Sequence, residues 1–263
     1  MNKFDGRANA MQETPPRHAY RHDFQNIEDI FYGTDDGCGD GSFREFAKFE
    51  DFYNSLDGER KLDVHLVSVV GGFYGLNLIP LIRPKRITLF DMNPHQITYG
   101  NLIIRVLASS RDADDFLNKL SNKDYEVCSD QERTIREAIA MKQNGMLTTS
   151  HGRSKRSFKS SWKYALDHFD LTKQVLSEAV IENRVEGMQE KSFQDYVRDK
   201  ENIWIYTSNI FLFVNFKLGF SNPRNVVLLA VHLADTYILD LAREGCGPQE
   251  VLYSAPMSAT KLV

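Results

Sequence analysis

The stretch DVHLVSVVGGFYGLN, residues 63–77, is an apolar run that ends in a glycine-rich turn. Its valines favour a buried β-strand, because β-branched side chains pack well on a pleated surface. Gly71, Gly72 and Gly75 follow directly and permit backbone conformations and close approaches that side chains prevent. A strand that opens into such a turn is typical of a nucleotide-binding unit. The alternative is a glycine-rich turn inside a core that binds no ligand.

The next elements along the chain continue this unit. LNLIPLI, residues 76–82, is predicted as the helix after the turn, and RITLFD, residues 86–91, as a second buried strand that ends in an acid. Beyond it, Asn93 is the expected helix N-cap and Pro94 suits the first helical position. Gln96 is expected to close a capping box. Strand, glycine turn, helix, strand and acid form one βαβ unit.

Strands and helices continue to alternate farther along the chain. Residues 102–177 are predicted as a helical insertion, and three later strands are predicted in VIENRVEGM (180–188), NIWIYTSNIFLF (202–213) and TYILDLA (236–242). NPRNVVLLAVHLAD (222–235) has a proline near its start and is predicted as a helix. This alternation predicts the α/β class, with a doubly wound, Rossmann-like parallel sheet.

The chain of 263 residues is expected to divide into two parts. Residues 1–60 are predicted as an N-terminal helical arm with helices that pack on the core. Residues 61–263 are predicted as one Rossmann-like domain that contains the insertion. His65, in the first predicted strand, is interpreted as a core histidine.

Composition disfavours several classes of protein. The net charge is -4 and the isoelectric point is near 6.0, which argues against a surface that coats nucleic acid. No apolar run approaches the length of a membrane span, and residues 1–18 contain no apolar signal segment. The three cysteines are far apart and predict reduced thiols. We expect a cytoplasmic protein with no metal site and no membrane partner.

The ends of the predicted strands carry the residues that suggest a binding site. In a doubly wound sheet, ligands bind at the carboxyl ends of the strands. Asp91 lies twenty residues beyond Gly71, the spacing at which a carboxylate accepts both hydroxyls of a ribose. The alternative role for Asp91 is an acid favoured by the dipole of the next helix. Ser208 and Asn209 follow the fourth strand and offer polar groups at the same edge.

Phe73 indicates which kind of nucleotide the turn can hold. The dinucleotide fingerprint G-x-G-x-x-G fails here, because Phe73 replaces its second glycine and Leu76 its third. The second glycine allows a pyrophosphate to lie against the backbone. NAD and FAD are therefore disfavoured, whereas a ligand with adenosine but no phosphate, such as S-adenosylmethionine, is compatible with the turn.

Three stretches together resemble a known family. VVGGFYGLN (69–77), ITLFDMNPHQ (87–96) and IWIYTSNIF (203–211) are similar to the class I S-adenosylmethionine-dependent transferases. They are closer to the branch that transfers the 3-amino-3-carboxypropyl group, such as betaine-lipid synthases and the microcin C aminocarboxypropyl transferase. Betaine-lipid synthases have a similar D-x-N-P-x-Q after strand two and S-N-[IV]-F after strand four. The resemblance covers about 62–105 and 178–215.

The resemblance implies a set of cofactor contacts. The turn would line the methionine and adenosine moieties, Asp91 would hold the ribose, and Met92 would pack on the adenine. At the end of strand three the usual acid is absent, so Gly187 and Met188 keep only backbone and packing roles. Ser208 and Asn209 would face the sulfonium and the methionine tail. The predicted cofactor-binding residues are Gly71, Gly72, Phe73, Tyr74, Gly75, Asp91, Met92, Asn93, Gly187, Met188, Ser208 and Asn209.

The resemblance implies a transferase but leaves the transferred group open. Each of the three carbons on a sulfonium is electrophilic, and the enzyme mainly orients one of them toward the acceptor. We expect transfer of the 3-amino-3-carboxypropyl group with release of methylthioadenosine. The alternatives are a methyltransferase on a small molecule and a non-catalytic nucleotide-sensing or interaction protein. No catalytic side chain is identified from the sequence.

A basic segment suggests the acceptor. From Ala138 to Leu166 there is no Asp or Glu, and HGRSKRSFKSSWK (151–163) is rich in Arg and Lys. Guanidinium and ammonium groups suit a phosphate or carboxylate, so we expect a small anionic acceptor; nucleic acid is disfavoured. The alternative is a solvated surface. Aromatic residues of the arm either close over the cofactor or pack on the sheet. The predicted acceptor-binding residues are Arg153, Lys155, Arg156, Lys159, Tyr20 and Tyr32.

Overall fold

The computed structural model describes residues 42–122, 124–125, 129–143, 148–149, 152–153, 161–207, 216–221, 225–232, 235–241, 249–253 and 261–262. The helices in these ranges are α1 (Ser42–Ser55), α2 (Leu78–Ile82), α3 (Pro94–Ser109), α4 (Ala113–Ser121), α5 (Asp130–Gln143), α6 (Lys163–Asp167), α7 (Phe169–Glu178) and α8 (Lys191–Arg198). Two 3-10 segments cover Glu59–Lys61 and Gly71–Asn77.

The strands in the same ranges are β1 (His65–Val69), β2 (Arg86–Asp91), β3 (Thr148–Thr149), β4 (Gly152–Arg153), β5 (Val180–Val185), β6 (Ile203–Tyr206), β7 (Phe216–Phe220), β8 (Val227–His232), β9 (Asp235–Asp240), β10 (Gln249–Tyr253) and β11 (Lys261–Leu262). Six of them form the main sheet in the order β5-β2-β1-β6-β8-β9. β7, β10 and β11 form a second sheet, and β3 and β4 form a short hairpin.

The main sheet is mixed and mostly parallel. β5, β2, β1, β6 and β8 run parallel, whereas β9 pairs with β8 in the antiparallel direction. The chain is therefore of the α/β class and compatible with a Rossmann-like fold; five of the six strands follow the expected parallel arrangement, and β9 departs from it. The strand order reverses between β1 and β6, which creates a topological switch point at their carboxyl ends.

The prediction of a helix over 222–235 is wrong. Val227–His232 forms β8, and β9 starts at Asp235. Residues 226–230 are buried between β6 and β9, so the apolar run fits a strand that is covered on both faces. Periodicity alone does not separate such a run from a buried helix. In the segment predicted as a helical insertion, the described residues of 102–177 are mainly helical, but they include the β3–β4 hairpin.

Helices cover the two faces of the main sheet. On one face, the Phe49 ring meets Tyr206 edge to face with centroids 6.5 Å apart, and α1 thereby covers β6. On the other face, the centroid of Phe193 from α8 lies 4.7 Å from that of Phe90 on β2. Side chains alternate across a sheet, and the register of β1 with its two neighbours places these two contacts on opposite faces. The hydrophobic core therefore surrounds the parallel strands from both sides.

A polar chain lies beneath α8. His65 Nε2 is 2.8 Å from Thr88 Oγ1, which is 2.8 Å from the Tyr196 hydroxyl. Tyr196 donates to the Glu182 carboxylate at 2.9 Å. Burial lowers the pKa of His65 to about 4, with a further contribution from the charge of Lys200. His65 is a buried and hydrogen-bonded histidine, as its position in the first strand predicted.

An ion pair links the chain segments at the amino-terminal ends of the parallel strands. Arg60 makes two hydrogen bonds to Asp240, at 2.8 and 2.6 Å, in the bidentate geometry that guanidinium and carboxylate favour. Its Nε donates to Asn225 Oδ1 at 2.9 Å, and Asn225 Nδ2 donates back to the Arg60 carbonyl at 2.8 Å. These bonds join the turn after α1 to the start of β8 and the end of β9.

A buried arginine joins two helices of the segment between β2 and β5. Arg136 of α5 is fully buried, and its guanidinium donates to the carbonyls of Lys119 and Asn122 at the end of α4. Cations are favoured at the C-terminus of a helix, where backbone carbonyls lack helical donors. No helix in the described ranges has both the length and the apolar character needed to cross a bilayer.

Candidate functional site

The carboxyl ends of the central strands meet at one edge of the main sheet. The turn Gly71–Asn77 follows β1, Asp91 ends β2, residues 186–189 follow β5, and Thr207 follows β6. Thr207 is buried, and its N–H donates to the Leu229 carbonyl at 2.9 Å, which fixes the exit of β6 against β8. Parallel α/β sheets bind ligands at this edge.

The turn after β1 keeps a glycine-like backbone at a residue that is not glycine. Gly72 has φ 68° and ψ -4°, and Phe73 has φ 55° and ψ 39°. The left-handed region costs a residue with a side chain about 1–2 kcal/mol. Phe73 is fully buried, and burial of a phenylalanine ring stabilises by about 1.5–3 kcal/mol. Phe73 therefore preserves the backbone path of the turn while its ring fills the core.

The flanking glycines differ in their surroundings. A Cβ added at Gly75 would lie 2.2 Å from the Ser68 hydroxyl oxygen, so a side chain at this position would force the Ser68 side chain on β1 to move. At Gly71 the nearest neighbour of an added Cβ is Val69 Cγ2, at 4.0 Å. The neighbouring Tyr74 is buried, with its ring centroid 6.0 Å from that of Tyr206. Gly71, unlike Gly75, therefore has open space beside it at the carboxyl ends of the strands.

Asp91 accepts hydrogen bonds from the backbone on both sides. The N–H of Gly71 lies 3.3 Å from Oδ2, and the N–H of Asn93 lies 3.0 Å from Oδ1. Burial raises the pKa of Asp91 to about 6, and hydrogen bonds from Asn93, Gly71 and Met92 oppose that rise. The carboxylate is therefore mostly ionised at neutral pH. Its oxygens have about four lone-pair positions in total, which leaves capacity for a further donor.

Asn93 caps α3 as predicted, but the capping box is not formed. Asn93 Oδ1 accepts from the N–H of His95 at 2.9 Å. The N–H of Asn93 donates to Asp91 instead of the side chain of Gln96, so this part of the prediction is wrong. Asn93 is 3% exposed as a residue, and its side-chain Nδ2 has no hydrogen-bond partner within the described residues. A buried donor without a partner costs about 1–3 kcal/mol.

The segment after β5 contains acids that the sequence analysis did not use. The N–H of Gly187 donates to Glu190 Oε1 at 2.8 Å, and Met188 is buried. Glu186 binds the Nε of Arg184 through one carboxylate oxygen and Ser192 Oγ, at 2.6 Å, through the other. Burial pushes the pKa of Glu186 up, but these two hydrogen bonds outweigh burial and the net shift is downward.

Met92, the residue after Asp91, is exposed at the carboxyl end of β2. The residue is 40% exposed, and its sulfur accepts from Gln189 Nε2 at 3.4 Å. The N–H of Glu186 donates to the Asp91 carbonyl at 3.0 Å. The structure thus brings together the turn, the end of β2 and the segment after β5, which are distant in the chain.

No protein-family model matches the chain, and no curated protein matches it. Within the described ranges, no group of three or more His, Cys, Asp or Glu residues is arranged to hold a metal ion.

Two residues that sequence reasoning missed hold the turn in place. Asn77 Nδ2 donates to the carbonyls of Tyr74, at 3.1 Å, and Ser161, at 2.9 Å, while its Oδ1 accepts from the N–H of Ala165 at 3.1 Å. The indole N–H of Trp162 donates to the Gly72 carbonyl at 3.3 Å. Residues 161–165 therefore lie against the turn. The sequence signal available for Asn77 was a polar residue in an otherwise apolar run, two residues after Gly75.

Several predicted residues lie outside the described part of the chain. Arg153 belongs to β4 and its backbone pairs with Thr148. The structure therefore leaves the acceptor-binding prediction as it was made from the sequence. The predicted site residues outside the described ranges are Ser208, Asn209, Lys155, Arg156, Lys159, Tyr20 and Tyr32.

Proposed function

We propose that the chain is an S-adenosylmethionine-dependent transferase that moves the 3-amino-3-carboxypropyl group to a small anionic acceptor and releases methylthioadenosine. The observation that carries the cofactor assignment is the Asp91 carboxylate, positioned at the end of β2 by the N–H groups of Gly71 and Asn93. The choice of transferred group is supported by the resemblance of the sequence to the aminocarboxypropyl transferases.

The hydrogen bonds of the turn favour a nucleoside over a phosphate. Anion sites at glycine turns need backbone N–H groups directed at the ligand. Here the N–H of Gly71 donates to Asp91 and the N–H of Phe73 to the Val70 carbonyl. A carboxylate next to the turn would also repel a phosphate. A ribose presents hydroxyl donors, and one of them suits the lone-pair position that the backbone N–H groups leave on Asp91.

Two further residues support an adenosine ligand. The Asn93 side chain is buried with an Nδ2 donor that has no partner in the described chain, and an acceptor nitrogen of an adenine ring would satisfy it. Met92 is exposed beside Asp91, and a thioether makes favourable contacts with aromatic rings. Both residues are adjacent to the carboxylate assigned to the ribose.

The chemistry requires orientation more than it requires an acid or a base. A lone pair of the acceptor forms a bond to the γ-carbon of the methionine chain, and the bond from that carbon to sulfur breaks. The electron pair stays on sulfur, which loses its positive charge, and the proton of the acceptor passes to solvent. The protein contributes by fixing the carbon in line with the acceptor and by excluding water.

Calorimetry with S-adenosylmethionine tests the cofactor assignment. We expect wild-type protein to bind and Asp91→Ala to lose at least tenfold in affinity, by about 1.4 kcal/mol or more. Asp195→Ala, an exposed acid on α8, is the matched control and should leave affinity unchanged. Absence of binding at millimolar cofactor would overturn the proposal.

Mass spectrometry of the spent cofactor tests the transferred group. With a cell extract as the pool of acceptors, methylthioadenosine is the expected by-product. S-adenosylhomocysteine would instead identify a methyltransferase. Binding without either by-product would favour a nucleotide-sensing protein.

A further inference from the structure

β5 lies at one end of the main sheet and is open on one side. In the described part of the chain, β2 is its neighbour on one side and no strand lies on the other. Val180 is 57% exposed and Val185 is 58% exposed. A strand edge with exposed valines is a position at which another strand can pair, and proteins commonly protect such edges with charges.

The backbone of β5 shows which residues face that open edge. The N–H of Val180 donates to the Lys85 carbonyl and the N–H of Glu186 to the Asp91 carbonyl, each at 3.0 Å. Backbone groups of successive strand residues point to opposite sides, so the even-numbered residues direct theirs at β2. Ile181, Asn183 and Val185 therefore direct their N–H and C=O groups at the open edge.

We propose that β5 pairs in the antiparallel direction with β5 of a second copy of this chain, with the two-fold axis at Asn183. Glu182 then lies opposite Arg184 of the second copy, and Ile181 lies opposite Val185. Symmetry repeats both pairs. The two six-stranded sheets join into one continuous sheet. This inference is independent of the proposed function.

The hydrogen-bonding pattern fits this register. In an antiparallel ladder, hydrogen-bonded and non-hydrogen-bonded pairs alternate. With Asn183 opposite itself, the three residues that face outward form the hydrogen-bonded pairs. Glu182 and Arg184 then fall in non-hydrogen-bonded pairs, where side chains lie closer together.

The neighbouring registers are unfavourable. A shift of one residue places the outward-facing N–H and C=O groups of one copy opposite residues of the second copy whose N–H and C=O groups already bond to β2. No hydrogen bonds can then form between the copies. A shift of two residues in either direction places Glu182 opposite Glu182 of the second copy, or Arg184 opposite Arg184. Like charges then face each other. Glu182 and Arg184 disfavour pairing with an unrelated strand, and between two copies of β5 they favour the register with Asn183 opposite Asn183.

Contacts within the chain hold the two charged side chains on the same face. Glu182 accepts from the Tyr196 hydroxyl at 2.9 Å. The Arg184 guanidinium, whose Nε binds Glu186, lies 4.2 Å from the centroid of the Tyr196 ring and has its other nitrogens available for Glu182 of the second copy. Both side chains are thus ordered before pairing, which lowers the entropic cost of association. A two-fold interface of this kind is closed and self-complementary.

Light scattering of the full chain after size exclusion tests the proposal. We expect twice the chain mass of 30.2 kDa. Glu182→Arg and Arg184→Glu should each be monomeric, because like charges then face each other. Mixed in equal amounts, the two variants should form a heterodimer, because every cross-strand pair then joins a basic side chain of one variant to an acidic side chain of the other. A wild-type monomer at all concentrations overturns the proposal.

A backbone variant provides a second test. Asn183→Pro removes an N–H at the open edge without removing a bond to β2, and proline is tolerated on that side of an edge strand. We expect a monomer with an unchanged circular dichroism spectrum. Lys191→Glu, a charge reversal on exposed α8, is the control and should remain a dimer. A dimer that persists in Asn183→Pro and in both charge variants would place the interface elsewhere and overturn the proposal.

Discussion

The N–H of Gly71 lies 3.3 Å from Oδ2 of Asp91, which joins the start of the turn after β1 to the last residue of β2. The bond has two consequences for the candidate site. It occupies an N–H that a phosphate-binding turn would direct at its ligand. It also stabilises the ionised form of a carboxyl whose pKa burial raises to about 6.

Affinity for S-adenosylmethionine should fall in acid because of Asp91. Below pH 6 the carboxyl becomes protonated and loses acceptor capacity for the ribose hydroxyls. At one unit below the pKa, competition with the proton weakens binding about tenfold. Calorimetry between pH 5 and pH 8 measures the change. A flat affinity across this range would contradict the ribose assignment.

Stability of the ligand-free protein should depend on His65 in acid. The pKa of His65 is about 4 in the folded protein, compared with 6.5 for an ordinary histidine. As the pH falls, the unfolded chain therefore binds a proton at a higher pH than the folded chain does. Stability from the neutral, buried ring is present above pH 6.5 and is lost as the pH falls toward 4. Between pH 7.5 and pH 5 the loss is about 2 kcal/mol.

His65→Gln should remove this loss, because glutamine does not titrate and can still bond Thr88. Urea unfolding at pH 7.5 and pH 5 gives the two free energies of unfolding. Asp91 acts in the opposite direction, since its raised pKa makes the folded state more favourable as the pH falls from 6 to 3.8. An unchanged pH dependence in His65→Gln would contradict the prediction.

Gly75→Ala should destabilise the fold by about 1–3 kcal/mol, because its Cβ would overlap the Ser68 hydroxyl. Gly71→Ala is the matched control and should have little effect on stability, since its surroundings are open. Thermal unfolding measures both. Adding Ser68→Ala to Gly75→Ala should restore part of the loss, and independent effects of the two changes would argue against the overlap.

Asn77→Ala should release the segment 161–165 from the turn. The change removes two donated bonds and one accepted bond of a residue that is 2% exposed. A loss of about 2–4 kcal/mol is expected, because partner groups remain buried. Hydrogen exchange should increase at Ala165. Equal protection at Ala165 in both proteins would show that other contacts hold the segment.

The elements with local causes could be predicted from the sequence. A valine-rich run predicted β1, the apolar run RITLFD predicted β2, and α3 begins at Pro94 with Asn93 as its N-cap. In each case the deciding side chains lie within a few residues of the element. The placement of Gly71 and Asp91 at the same end of neighbouring strands also follows, since a βαβ unit brings the carboxyl ends of its parallel strands together.

Residues 222–235 show where local reasoning failed. An apolar run after a proline suits the start of a helix and a buried strand equally, and β6 and β9 on either side decide for the strand. The capping box failed for a similar reason. The N–H of Asn93 donates to Asp91, whose position is fixed by the end of β2, and is therefore not available to the Gln96 side chain.

The sequence by itself determined the α/β class, the position of the first βαβ unit and the placement of Gly71 and Asp91 at the ends of neighbouring strands. The tertiary structure alone decided that Gly75 serves packing, that Asn77 and Trp162 hold the turn, and that β9 runs antiparallel. Local patterns encode the conformational preferences of neighbouring residues. Burial and hydrogen-bond partners depend on segments far apart in the chain, which meet only when the whole sheet has formed.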